Sequence, residues 1–304
     1  MNILTATNIH KSYGDFKALN DISLAIPEGS IFGLLGPNGA GKTTFIRIIT
    51  QIIAADNGNI LLYDKPLNFG HIREIGYLPE ERGLYKKMKV GEHLLYLAQL
   101  KGLSKSESME RIKHWFRKFE IADWWGKKVE DLSKGMQQKV QFIATVLHNP
   151  KLIILDEPFS GFDPINVNII KDEILNLAEE GCTIIFSTHR MESVEELCDH
   201  IALINKSKKI LEGSKKEIKD NNKTNTFEVD HRYPITEIDE GFEIKHHDQL
   251  EDGFYRTSIR IVNGKSPNEL LKTLIDKVEV HSFIEKIPSM NEIFISTVQG
   301  GDHE

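Results

Sequence analysis

Apolar residues recur along this chain at two different periods, and their alternation lays out a mixed α/β architecture. Residues 2–9 and 19–26 read as strands, with Asp21-Ile-Ser-Leu-Ala-Ile26 alternating as a half-buried strand does. Between them Lys11 to Lys17 reads as a turn. Ile31 to Leu35 is an unbroken apolar run short enough for one buried strand, and Phe45, Ile46, Ile48 and Ile49 follow at helical spacing. Further strands are expected over 58–63 and 74–78. The apolar positions of 90–100 predict a helix, and residues 104–120 predict another with Ser104 as its N-cap. Trp115, Phe116, Phe119, Ile121, Trp124 and Trp125 form an aromatic cluster, read as the core of a helical subdomain.

The C-terminal half continues in the same way. Val140 to Leu147 predicts a helix, Leu152 to Leu155 a buried strand, and Gly181 to Arg190 another. Residues 191–198 follow as a helix, 200–205 and 208–212 as strands, and 213–218 as a short helix. Asp220-Asn-Asn-Lys-Thr-Asn-Thr226 is polar throughout and reads as a linker. Beyond it, strands near 226–230, 256–262 and 278–286 are expected, with helices over 266–277 and 289–298. These make a small α+β domain of residues 221–304 after a larger domain of residues 1–220.

Composition narrows the function classes. The 304 residues, 40% hydrophobic and 27% charged, suit a globular protein of about two domains. No apolar run approaches the roughly 18 residues of a membrane span, so a membrane role is expected to run through a partner. The start, Met1-Asn-Ile-Leu-Thr5, shows no secretory pattern. Cys182 and Cys198 fit no metal spacing and read as free thiols. Residues 221–304 hold 16 acidic and 9 basic residues, while the remaining 29 of each sign balance over 1–220. No basic domain stands out, and nucleic acid is not an expected partner.

Chemistry concentrates where the patterns meet. Between the strand at 31–35 and the helix after it lie Gly36, Pro37, Asn38, Gly39, Ala40, Gly41, Lys42, Thr43 and Thr44. Strand, glycine loop and helix N-terminus make a phosphate cradle of backbone N–H groups, with Lys42 reaching the β- and γ-phosphates and the Thr43 hydroxyl a ligand for Mg²⁺. Thr44 is a weaker candidate for a further phosphate contact. Ser133 and Gly135 open the helix before Val140, a second place where N–H groups could meet phosphate, although Ser133 taken alone reads first as a plain helix cap. Asp156 and Glu157 emerge at the C-terminal end of an apolar strand, where ligands of open α/β sheets bind. Asp156 is the metal candidate and Glu157 the base for the attacking water. His189 ends the next such strand and is a candidate γ-phosphate sensor. Tyr13, just before the cradle, could stack on adenine or pack on the sheet rim. His246 and His247 are adjacent and read as an exposed pair rather than a metal site.

Taken in order, these residues resemble the ATP-binding subunit of ABC transporters. Gly36 to Thr43 match Walker A, and Leu152 to Asp156 with Glu157 match Walker B and its catalytic glutamate. Leu132-Ser-Lys-Gly-Met136 looks like the LSGGQ signature, Ser160-Gly-Phe-Asp163 like the D-loop, His189 like the switch histidine and Tyr13 like the adenine-stacking aromatic. The resemblance covers about residues 1–215. It implies a P-loop NTPase fold of ABC type, with a mostly parallel sheet core, an antiparallel β subdomain and a helical subdomain. It also implies ATP and Mg²⁺ as ligands, an integral membrane permease on a separate chain, and peripheral attachment at the cytoplasmic face of the plasma membrane. A second ATP-binding subunit, as a homodimer, would place Ser133 and Gly135 over the ATP held by the other chain. Two departures stand out: Glu80 replaces the usual glutamine, where it would still serve as a Mg²⁺ ligand, and the signature carries Lys134 and Met136. Glu80 and the C-terminal extension resemble the subgroup associated with sodium export and related exporters. The alternative reading is a soluble ABC-type ATPase acting on ribosomes or DNA.

Overall fold

The computed structural model describes residues 1–81, 83–160 and 164–300. Two compact units divide the chain, Met1–Lys215 and Lys216–Glu304. The first begins with β1 (Asn2–Tyr13), β2 (Phe16–Pro27), β3 (Ile31–Leu35), α1 (Lys42–Ile49), β4 (Asn57–Leu62), β5 (Lys65–Pro66) and β6 (Ile75–Leu78). It continues with α2 (Val90–Leu100), α3 (Lys105–Lys118), α4 (Lys134–Val146), β7 (Leu152–Asp156), α5 (Pro164–Glu179) and β8 (Thr183–Thr188). It closes with α6 (Met191–Leu197), β9 (His200–Asn205) and β10 (Lys208–Ser214), and α7 (Lys215–Asn221) crosses into the second unit. That unit adds β11 (Thr226–His231), β12 (Phe242–Gln249), β13 (Tyr255–Ile261), α8 (Pro267–Ile275), β14 (Val280–Glu285) and α9 (Met290–Gly300).

The six-stranded sheet has the order β10-β9-β3-β8-β7-β6. Its strands from β9 to β6 run parallel and only β10 is antiparallel. All five residues of β3 and of β7 are buried, which is why β3 and the first four residues of β7 read as unbroken apolar runs. A second, antiparallel sheet of order β2-β1-β4-β5 shares one core with it through Leu4, Ile9, Ile22, Phe32, Phe45 and Ile154. The mostly parallel core, the antiparallel subdomain and the helical segment thus appear as the motifs implied.

The helical segment has the aromatic core expected of it. Trp115 stacks on Phe119 at 5.7 Å, Phe142 meets both rings edge-on, and Phe116 meets Trp125. Gly91 is required here, because a Cβ on it would stand 2.4 Å from the Trp125 ring. In α3 the Ser104 hydroxyl accepts from the Glu107 N–H while the Glu107 carboxylate accepts from the Ser104 N–H, a capping box that defines the helix start.

Several boundaries differ from the sequence expectation. The turn read over Lys11–Lys17 shrinks to Gly14-Asp15, since Ser12 pairs with Lys17 and Tyr13 with Phe16. Asp56 holds the first strand out to that length by accepting from the Ser12 N–H and the Lys11 ammonium, both at 2.7 Å. Helix α4 begins at Lys134, six residues before Val140, because the Ser133 hydroxyl caps the Met136 N–H. Helix α5 had no counterpart in the sequence reading; its apolar residues include exposed Ile169 and Leu175 beside buried Ile170 and Ile174, which blurs the periodicity. Strand β12 was missed because after Ile244 it carries only polar residues. The polar linker shortens to residues 222–225, as α7 runs to Asn221 and β11 starts at Thr226.

In the second unit the sheet order is β12-β13-β11-β14, all pairings antiparallel. Helix α8 packs on one face through Leu270 and Leu274 against Phe227, Val229, Ile259 and Ile261. Both cysteines are free, and burial pushes both thiols up to about 12, so neither carries thiolate character near neutrality.

His148, just past α4, is buried and donates from Nε2 to the Ile75 carbonyl at 3.2 Å. Burial, helped by the charges of Lys101 and Arg111, pushes it down to about 4 from an ordinary 6.5. A depressed histidine stays neutral in the folded state while its unfolded counterpart takes up a proton. Its titration therefore costs nothing above about pH 6.5, and stability falls progressively as the pH drops from 6.5 to about 4. His148→Gln, which keeps an amide donor, should reduce the acid-side loss of stability by roughly 2 kcal/mol. Urea midpoints at pH 7 and pH 5 check this, and an unchanged difference between the two proteins would refute it. Burial also lowers His93 and His231, which should leave some slope behind.

Candidate functional site

The site grows from the C-terminal ends of the parallel strands. Strand β3 ends at Leu35 and the chain turns at once through Gly36, whose φ of 148° brings its α-carbon against the Ile204 backbone. A Cβ there would lie 2.1 Å from the Ile204 carbonyl oxygen. At Gly41, with φ 115°, a Cβ would lie 2.5 Å from the Ala18 carbonyl. These two close approaches explain glycine at both ends of the loop. Helix α1 then starts at Lys42 with no acidic residue in its first turn, so its free N–H groups and positive dipole end face the loop uncompensated.

A cavity of about 350 Å³ opens there, lined by Phe16, Ala18, Asn38, Gly39, Ala40, Gly41, Lys42, Thr43, Thr44, Glu80, Asp156 and Glu157. Gly36 and Pro37 stand behind it and offer their carbonyls to the Lys42 ammonium at 2.8 and 3.2 Å. Lys42 is only 7% exposed. Burial lowers its pKa, and the carboxylates of Glu157, Asp156 and Glu80 push the other way. A buried ammonium held by two carbonyls beside an open loop is a cation short of an anion, and a phosphate chain fits that position.

The carboxylates arrive from neighbouring strands. Asp156 ends β7, is 2% exposed, and accepts from the Thr43 hydroxyl at 3.1 Å. Burial raises its pKa, while that hydrogen bond acts in the opposite sense. Glu157 adopts the left-handed conformation at φ 49° and donates its N–H to the Ser187 carbonyl at 2.9 Å, which turns its side chain back toward β8. There its carboxylate accepts from the His189 N–H at 3.0 Å, the His189 ring Nδ1 at 2.6 Å and the Thr188 hydroxyl at 3.2 Å. Glu80 is exposed in the loop after β6. Thr43, Asp156 and Glu80 supply hard oxygen donors beside the phosphate cradle, a set that suits Mg²⁺.

The remaining sequence candidates lie apart. Ser133 is exposed at the start of α4, and Gly135 faces open space except for the Asn166 amide 3.9 Å from where a Cβ would be. Neither lines the cavity. Tyr13 is half-exposed at the end of β1 and outside the lining, with the Lys11 ammonium 5.7 Å from its ring. Its cross-strand partner Phe16 takes the position on the cavity rim. Gly161, Phe162 and Asp163 of the D-loop stretch, and Arg82, fall outside the described residues. His246 and His247 have separate partners, Asp248 at 2.8 Å and the Thr257 hydroxyl at 2.6 Å.

Three contributors went unnoticed in the sequence. Phe16 looked like a turn residue, and Thr188 like a strand end. Gln141 lay in the apolar helix, yet its buried amide donates to the carbonyls of Pro79 at 3.2 Å and Glu81 at 3.4 Å, on either side of Glu80. One turn earlier Gln138 donates to the Ser160 carbonyl. Helix α4 thereby grips the loops on both flanks of the cavity.

Comparison with known proteins agrees with this geometry. The ABC transporter family model matches residues 19–160, and a model described as the C-terminal domain of DrrA1-3-like ATP-binding proteins matches residues 213–298. An AAA domain model matches residues 128–195. The uncharacterized ABC transporter ATP-binding protein YhaQ of Bacillus subtilis is 44% identical over 298 residues, 97% of this chain and 98% of its own. The linearmycin resistance ATP-binding protein LnrL of the same organism is 35% identical over 71% of this chain and 70% of its own. Among solved structures, cbiO1 from Clostridium perfringens, described as part of the ABC transporter complex cbiONQ, superposes with a TM-score of 0.63. It is 28% identical and covers 71% of this chain and 90% of its own.

Because Gln141 holds the backbone on both sides of Glu80, Gln141→Leu should release that loop. We expect ATP hydrolysis to fall about three- to tenfold, the worth of one or two hydrogen bonds, with half-saturation shifted to higher Mg²⁺. Steady-state rates across a Mg²⁺ titration check this; a wild-type Mg²⁺ dependence would show that the contact does not position Glu80.

Proposed function

The chain belongs to the ATP-binding subunits of ABC transporters, and from that premise we propose that it drives an exporter by ATP-dependent pairing with a second copy of itself. Subunits of this kind are ATPases and work with membrane permease components. Among the described residues no helix is long and apolar enough to cross a membrane. The observation that carries the proposal is the incomplete cavity: it gathers Lys42, Thr43, Glu80, Asp156 and Glu157, while exposed Ser133 and half-buried Gly135 lie outside it.

In this reading the loop from Gly36 to Thr44 holds the phosphates of ATP, and Tyr13, with Phe16 beside it, receives the adenine. Thr43, Asp156 and Glu80 would hold Mg²⁺, which supplies neutralising charge along the phosphates. Glu157 takes the proton from the attacking water. Thr188 and His189 set its orientation, and His189 serves in this reading as the γ-phosphate sensor. Ser133 and Gly135 of the second copy close over that phosphate with the N-terminal dipole of their own α4. ATP then belongs to both copies, hydrolysis separates them, and the permease senses the difference. The resistance named for LnrL supports export; sodium or a related solute is the substrate class that Glu80 and the C-terminal extension favour.

Transport in liposomes holding the chain and its co-encoded permease tests the whole proposal. ATP-dependent solute movement is expected and should vanish in Lys42→Ala; no ATP-dependent movement with the intact chain would refute it. For the pairing step, Glu157→Gln should slow hydrolysis by at least about a hundredfold and accumulate as an ATP-bound dimer on size-exclusion chromatography. A variant that remains monomeric in saturating ATP would argue against the shared site.

A further inference from the structure

The second unit contains a groove that the ATPase reading leaves without a role. The two faces of its sheet differ sharply. Phe227, Val229, Ile259 and Ile261 point into the core under α8. The alternate positions of the same strands form a polar floor, with α9 and Pro288 as one wall. The groove measures about 640 Å³, the size of a small-molecule site and far more than an inorganic ion needs.

Charge is segregated into this groove. The 221–304 segment is acidic, 16 carboxylates against 9 cations, yet Lys245, Arg256, Arg260 and Lys286, four of the nine, line the groove. Only Glu228, Asp248 and Glu292 oppose them there.

Most of these charges are already committed. Arg256 donates through Nε and a second guanidinium nitrogen to Asp230 at 2.7 and 2.8 Å. Lys245 pairs with Glu243 at 2.6 Å, His246 with Asp248 at 2.8 Å and Lys286 with Glu228 at 3.5 Å. Glu292 accepts from the N–H and hydroxyl of Ser289. Two groups are left over, the Arg260 guanidinium and the Ser258 hydroxyl, which have no hydrogen bond or ion pair among the described residues. They sit two residues apart on β13, on the same face and about 7 Å between α-carbons. Arg260 stands opposite neutral Thr226 on β11 and, on β12, opposite a Glu243 that Lys245 already neutralises.

We propose that this groove binds a small organic anion, with a carboxylate or phosphate oxyanion held by Arg260 and Ser258. The planar guanidinium offers paired donors matched to either oxyanion, and the hydroxyl adds a neutral donor beside it. Pro288 and Ile293 supply an apolar wall for the body of the molecule. The site uses residues of the second unit alone and does not depend on how the first handles ATP.

Citrate and pyrophosphate serve as carboxylate and phosphate probes, titrated calorimetrically into the full chain with its nucleotide site filled by saturating ADP and Mg²⁺. At least one probe should bind with one-to-one stoichiometry, and which one identifies the oxyanion class. Arg260→Gln should weaken it about tenfold or more and Ser258→Ala about threefold. ATP binding, measured in the same proteins, should be unaltered, so that a failure here is separable from a failure of the ATPase reading. Absence of binding by both probes, or equal binding by Arg260→Gln, overturns the proposal.

Discussion

The parallel register of the central sheet is the constraint on which the site depends. Leu35 pairs with Thr188 and Asp156 with Ser187, while Leu78 stands opposite Leu155. The residues that follow these partners are Gly36, His189, Glu157 and Pro79-Glu80, so one edge of the sheet receives the glycine loop, His189, Glu157 and Glu80 together. Slipping any strand by one residue would send each side chain to the opposite face of the sheet and move its terminal residue out of reach. Every residue of β3, β7 and β8 is buried, so both faces of these strands are packed and a slipped register would have to repack both.

The same edge explains why Glu157 is strained. Continuing straight from β7, its side chain would leave the sheet edge. The left-handed turn at φ 49° aims it across β8 instead, where Thr188 and His189 hold both carboxylate oxygens. A non-glycine residue in that conformation costs about 1 kcal/mol, and the hydrogen bonds that it gains offset the cost. The strain and the placement of this carboxylate are one feature here.

Much of this was legible in the sequence because it is local. A glycine loop between an apolar strand and a helix, or two carboxylates ending a buried run, needs only neighbours in the chain to be read. Phe16 and Gln141 required long-range information. Phe16 lines the cavity only because the β1–β2 hairpin closes at Gly14-Asp15, and Gln141 acts only because α4 passes the loop that follows β6. In the sequence Gln141 is a polar interruption of an apolar helix, and nothing local says that its partners lie 60 residues upstream. Strand β12 escaped for a related reason: its polar face is the groove floor, so the alternation that betrays a half-buried strand fades after Ile244.

Helix α4 shows how the sequence can serve two demands within one element. Its first turn leaves Ser133 exposed and Gly135 half-buried, accessible to another molecule. Two turns on, Gln141 is buried and tied to the backbone on either side of Glu80. The helix thus joins an exposed first turn to the backbone on either side of Glu80, which Gln141 contacts through its amide. The departures from the usual motifs then fall at the two ends of one rigid connection, Lys134 and Met136 at its tip and Glu80 at its far contact. A carboxylate at position 80 repels phosphate more than an amide would, and an added lysine at the tip attracts it. The two changes have opposite electrostatic signs, and in the shared site proposed above they would act on the same phosphates.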